Sequence, residues 1–253
     1  MTTIENPNKS PLLEAIAEVR WNLQSGPKGE QVDPGYRLLP GRLSDRLGEE
    51  FPLFIDLPQA TVPPEMMPNV VRHQFRRGEN EWPVIQLGPG IVTLNDSSDY
   101  SWEKFYPRLK KLICQLHDCY PKGNHSFSIA GLDLRYLNSF PIDVNTDLSE
   151  QLQHLFGVVV EIPAPDPIDG NDGHDVLNVS TTLTIKQPML PGRATLTIST
   201  GLRSGEPALL LDLQMQSRKN DLPEDSAEMW FGRAHDCAKE WFTKLHREGS
   251  NAG

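Results

Sequence analysis

The sequence predicts an α+β fold, a tandem pseudo-two-fold β-α-β(n)-α repeat whose strands form one continuous antiparallel sheet with two long helices on one face. Three observations lead there. Several short segments alternate between apolar and polar residues, the period of a half-buried strand. Two long segments repeat their apolar residues at helical spacing. The order strand, short helix, strands, long helix occurs twice, over residues 1–125 and again over 126–253.

In chain order, Glu14 to Leu23 sets Ala15, Ala17, Val19, Trp21 and Leu23 on one side and Ile16, Glu18, Arg20 and Asn22 on the other, which predicts a strand. Leu38, Leu39, Leu43 and Leu47 predict a helix that starts near Arg42, because Pro40 and Gly41 oppose an earlier start. Val70 to Phe75, Val84 to Leu87 and Ile91 to Leu94 are short strands separated by Gly-Pro turns, and residues 24–35 and 56–68 are loops. From a Ser101 N-cap, Trp102, Phe105, Tyr106, Leu109, Leu112, Ile113 and Leu116 mark an amphipathic helix to Cys119, bent at Pro107.

The second half opens with a strand, Ile129 to Phe140, and a helix, Leu148 to Phe156. A meander follows over Val176 to Lys186, Arg193 to Thr200 and Ala208 to Ser217, with one wet face carrying Ser180, Thr182, Thr184, Thr195, Thr197 and Ser199. Asp225 and Glu228 suggest a capping box for the last helix, whose stripe is Met229, Trp230, Ala234, Cys237, Ala238, Trp241, Phe242 and Leu245, with fraying from Glu248. Residues 163–173 form a Pro-rich loop, and Asp166, Asp169, Asp172 and Asp175 make the region acidic and solvated. Glu18-Val19-Arg20-Trp21 answers Asp133-Leu134-Arg135-Tyr136 across the halves, and Trp102 answers Trp230. The arrangement resembles the tandem saddle of the TATA-binding-protein and helix-grip superfamilies, with both long helices on the convex face.

Composition bounds function. The chain has 253 residues, 38% hydrophobic and 23% charged, and a net charge of -10, which argues against a nucleic-acid partner unless a local basic patch overcomes it. The one basic cluster, Arg72, His73, Arg76 and Arg77, lacks interleaved aromatics and is expected on a surface or edge strand. Three cysteines make no complete disulfide set. No segment approaches a membrane span and the N-terminus lacks a signal-peptide pattern, so a cytoplasmic location and no membrane partner are expected.

The sequence contains no nucleophile elbow, phosphate-binding loop, dinucleotide fingerprint or zincin motif. Cys114, His117 and Cys119, with His235 and Cys237 on the other long helix, have zinc-ligand chemistry. Spacings of three and five residues do not face one point on a helix, so they are expected to be packing thiols and surface histidines, with no metal and no cofactor. The residues with most functional promise are Arg20, Arg135, Tyr136, Asn138 and His235. Each arginine shares a strand face with an acid two residues before it, Glu18 or Asp133, and either forms a sheet ion pair or presents forked donors to an anion. No catalytic residue is assigned.

Pro11-Leu12-Leu13-Glu14-Ala15, Glu18-Val19-Arg20-Trp21, Ser101-Trp102-Glu103-Lys104-Phe105, Leu132 to Asn138, and Arg233-Ala234-His235-Asp236 with Phe242 occur in this order along nearly the whole chain. Together they resemble a sporadically distributed, uncharacterised TIGR family of prokaryotic proteins of about this length. Leu137 and Asp236 stand where that family usually has Ile and Glu. The resemblance implies a single full-length module of bacterial or archaeal origin. It also implies an association with defence or mobile elements and a protein partner encoded nearby. The expected function is a non-enzymatic protein-binding module; the alternative is a sensor or enzyme for a small anionic, nucleotide-like ligand held by the paired arginines.

Overall fold

A computed structural model of the protein describes residues 10–97, 99–122, 127–160, 178–186, 190–218 and 226–250, the last five of these without side chains. Alternation makes β1 (Leu12–Trp21) a strand with Ala15, Ala17, Val19 and Trp21 buried. It is followed by a small ribbon, β2 (Gln24–Ser25) with β3 (Gln31–Val32), then α1 (Leu39–Leu47) and the strands β4 (Leu53–Asp56), β5 (His73–Arg76), β6 (Val84–Gly88) and β7 (Ile91–Asp96). The long helix α2 (Trp102–Cys119) leads to β8 (Ile129–Pro141), α3 (Leu148–Phe156), β9 (Ser180–Lys186), β10 (Arg193–Arg203), β11 (Glu206–Arg218) and α4 (Ala227–Ser250).

Nine strands form one antiparallel sheet in the order β4-β5-β6-β7-β1-β8-β11-β10-β9. Its central pair is β1 with β8, in a register that sets Ala17 opposite Leu134, Glu18 opposite Asp133 and Val19 opposite Leu132. Strand parity sends Val19, Leu94, Leu132, Leu134, Leu213 and Met215 into one core. Leu43 of α1, Leu109 of α2, Leu152 of α3 and Ala234 of α4 join the same core. Among the described residues no helix is long and apolar enough to cross a membrane.

Several expectations shift. Helix α1 begins at Leu39, not near Arg42, since Pro40 in a first turn gives up an N–H that has no intrahelical acceptor anyway. The 24–35 loop contains the β2–β3 ribbon, and the 56–68 loop contains the end of β4 and two 3-10 turns, Pro58–Thr61 and Pro64–Met66. Ser101 sits at the α2 N-cap but makes no side-chain cap bond; its carbonyl accepts from Lys104 and Phe105 instead. The β10–β11 hairpin is longer than expected because Ser204 (φ 53) and Gly205 (φ 89) form a two-residue turn with left-handed backbone at both positions. In α4, Met229 is exposed and Phe231 is buried instead, and the helix continues past Glu248 to Ser250. The expected Asp225 cap and the loop over 163–173 lie outside the described residues.

A buried carboxylate ties the first half together. Asp33 Oδ2 accepts from Trp21 Nε1 (2.8 Å) and the Gly90 amide (2.9 Å), while Oδ1 accepts from the Tyr120 hydroxyl (2.7 Å) and the Gly35 amide (3.0 Å). One side chain thus joins the end of β1, the β6–β7 turn and the residue after α2. Asp33→Ala leaves an indole N–H and an inner amide without acceptors, and is expected to cost about 3 kcal/mol or more. Urea unfolding checks this as a lower midpoint at unchanged slope. Leu134→Ala, at the middle of the central strand pair, should cost about 2–5 kcal/mol in the same assay.

Candidate functional site

The strand parity that buries Val19 and Leu134 places Glu18, Arg20, Asp133 and Arg135 together on the opposite, open face of the sheet. Arg20 Nε donates to Glu18 Oε1 at 2.5 Å. Arg135 does not pair with Asp133, as its spacing suggested. It makes a two-point contact with Asp212 of β11, Nε to Oδ1 at 2.8 Å and Nη2 to Oδ2 at 2.6 Å. The partner across the ladder suits the planar fork of the guanidinium. Asp133 accepts instead from Gln214 Nε2 (2.7 Å) and Gln216 Nε2 (2.8 Å), with Arg218 at 3.5 Å. Burial pushes its carboxyl up, against the two glutamine bonds. Arg20 lies opposite Gly131 and Arg135 opposite Ile16, four steps apart along the strands, or roughly 13 Å at strand rise. The two guanidiniums are held by different carboxylates, Glu18 and Asp212.

The other three candidates do meet, on the helix side. Tyr136 and Asn138 of β8 and His235 of α4 line one cleft of about 220 Å³, together with Leu12, Lys239 and Phe242. The Tyr136 hydroxyl lies 2.8 Å from both the Tyr100 hydroxyl and His235 Nδ1. The His235 ring stacks on Trp102, with centroids 4.0 Å apart and planes 6° apart. If His235 donated toward Tyr136, the proton chain would end on an unused Tyr100 donor. The opposite direction, Tyr100 to Tyr136 to His235 Nδ1, satisfies both hydroxyls, and assigns the imidazole proton to Nε2. Burial raises both phenols well above their usual range, which keeps them protonated donors. Burial also lowers His235, assisted by Lys239 and opposed by Asp236 and Glu103. The result is a neutral, firmly oriented imidazole at the edge of an amphipathic cleft.

Tyr100, Asp212 and Lys239 escaped sequence reasoning. Tyr100 sits just outside an element, and Asp212 is one polar position among several on the wet face of its strand. Lys239 follows His235 at i+4, a spacing that places both on one helix face and could have flagged it. The basic cluster disperses. Arg77 pairs with Glu50, which also receives Arg108. Burial acts to raise Glu50, but the hydrogen bonds from these two arginines prevail and hold its carboxyl below the usual value. Arg72, expected on a surface, is buried. Cys114 is exposed, Cys119 is buried with its thiol on the Arg42 carbonyl, and Cys237 is intermediate. In comparison with known proteins, no family model and no curated protein matches the chain.

Because folding lowers the His235 pKa, the unfolded chain takes up its proton first. This contribution to stability is complete above the ordinary imidazole pKa of about 6.5 and is lost as pH falls through the folded value. Calorimetry from about pH 7.5 to about pH 5 should show the wild type losing stability relative to His235→Gln. Tyr136→Phe, which removes the middle of the chain, should cost about 1–3 kcal/mol by denaturant unfolding.

Proposed function

We propose that the protein is a non-enzymatic protein-binding module, presenting the open face and one edge of its sheet to a protein partner. The observation that carries the reading is the state of β9. All seven of its residues are exposed, including Leu183 at 51% and Ile185 at 41%, and among the described residues it pairs with β10 alone. The opposite edge strand, β4, is only four residues long, ends in Asp56 and lies between Pro52 and Pro58, a protected edge. An open edge with alternating apolar side chains is the geometry that accepts an added strand.

The open face supports the same reading. Its hydroxyls pair across the ladder, Thr182 with Thr197 at 3.1 Å and Thr184 with Thr195 at 3.3 Å, which leaves a regular polar surface. Binding of an anion between Arg20 and Arg135 is less favoured, since each guanidinium already holds a carboxylate. The saddle belongs to this proposal. In each half the first strand pairs with the last, and the matched residues Glu18 and Asp133 face one another at the centre, as a two-fold relation between halves requires. We further propose, from the family resemblance alone, that the partner is encoded by a neighbouring gene in a defence or mobile-element setting.

The test is co-expression with the products of adjacent genes, followed by size-exclusion chromatography. A stoichiometric complex is expected, and Leu183→Lys should weaken it roughly tenfold, about 1.4 kcal/mol, without lowering the melting temperature. Failure of every neighbour to co-elute argues against the reading.

A further inference from the structure

Outside the cleft beside His235, the 3-10 turns Pro58–Thr61 and Pro64–Met66 wrap the side chain of Arg72. The main chain of this residue is pinned on both sides, its amide donating to the Leu87 carbonyl and its carbonyl accepting from Leu57, each at 2.8 Å. The residue is only 3% exposed. Nη2 donates to the Ala60 carbonyl at 2.8 Å and to the Val62 carbonyl. Among the described residues no carboxylate pairs with this guanidinium, and Nη1 has no partner. Tyr36 is similarly placed. It is 6% exposed and its hydroxyl has no partner among the described residues. Burial raises the phenol, the charge of Arg72 acts to lower it and those of Asp33 and Asp56 to raise it, so Arg72 and Tyr36 lie within electrostatic reach of one another and of both carboxylates.

Buried donors are rarely left unpaired, and a desolvated cation with no carboxylate in contact is costlier still. Both residues line one cavity of about 550 Å³. Pro40, Val62, Pro63 and Pro64 supply apolar wall. The charged lining sets Arg37 and Arg72 against Asp33 and Glu65, with His73 beside them already paired with Asp56, and the Asp33 oxygens are occupied by four donors. A singly charged anion suits that balance better than a dianion.

We propose that this cavity binds a small organic monocarboxylate, whose oxygens take the unused donors of Arg72 and Tyr36 while its apolar body lies against the prolines. The site is independent of the protein-binding reading and of the Arg20 and Arg135 pair. The chemistry is recognition: no bond is made or broken.

Benzoate is the probe, with benzamide and inorganic phosphate as controls, followed by isothermal titration and thermal shift on the full chain. Benzoate should bind saturably at one site and raise the melting temperature, and benzamide should do neither. Arg72→Ala would strand the Ala60 and Val62 carbonyls and could unfold the loop, so Tyr36→Phe is the informative variant. It should weaken benzoate roughly tenfold, yet fold as well as the wild type, because the hydroxyl it lacks had no partner to lose. Absence of saturable benzoate binding would overturn the proposal, as would equal affinity for benzamide or unchanged affinity in Tyr36→Phe. Phosphate binding more tightly than benzoate would overturn the monocarboxylate assignment.

Discussion

The antiparallel contact between β1 and β8 is the constraint on which the rest of the molecule depends. It joins two sets of strands into one sheet, and its register decides which side chains face the helices. A slip of one residue would turn Ala17, Val19, Leu132 and Leu134 to solvent and bring Glu18, Asp133 and Arg135 into the core, so the apolar alternation of both strands enforces a single register. The two strands stabilise it from both sides. Apolar pairs bury area beneath the helices, and ion pairs and glutamine bonds occupy the open face.

That register also separates the chemistry. Residues two apart share a face and neighbours do not, so Arg135 and Tyr136, adjacent in sequence, serve opposite surfaces. The arginine joins the open-face ladder with Asp212, whereas the tyrosine enters a part-buried junction with Tyr100, Trp102 and His235. The junction is where α2 and α4 meet, with the Tyr106 hydroxyl also donating to the Glu228 carbonyl at 3.0 Å. Polar groups there are oriented by several contacts each. Around Arg72 the opposite holds, and among the described residues buried donors stand without acceptors.

Much of the architecture could be read from local pattern. The stripe Phe105, Leu109, Leu112 and Leu116 announced α2, and the alternation from Ala15 to Trp21 announced β1, because burial of one face imposes a period visible in a single segment. Short strands such as β3 and β4 have too few residues to show a period. The start of α1 was misplaced because proline's helix-breaking effect disappears in a first turn. Of the candidate site, the convergence of Tyr136, Asn138 and His235 was within reach of the shared element order. The separation of Arg20 from Arg135 was not, since it follows from the stagger of one strand against the other.

By itself the sequence determined the class of fold, the two long amphipathic helices and the face on which each strand residue lies, all of them consequences of periodic burial along a short stretch of chain. Tertiary structure alone decided the partners: Asp212 for Arg135, four donors for Asp33, and, among the described residues, none for Arg72 Nη1 or the Tyr36 hydroxyl. Hydrogen bonds and ion pairs require positions correct to a fraction of an ångström between groups as many as 122 residues apart, as Tyr106 and Glu228 are, and no local pattern encodes such distances.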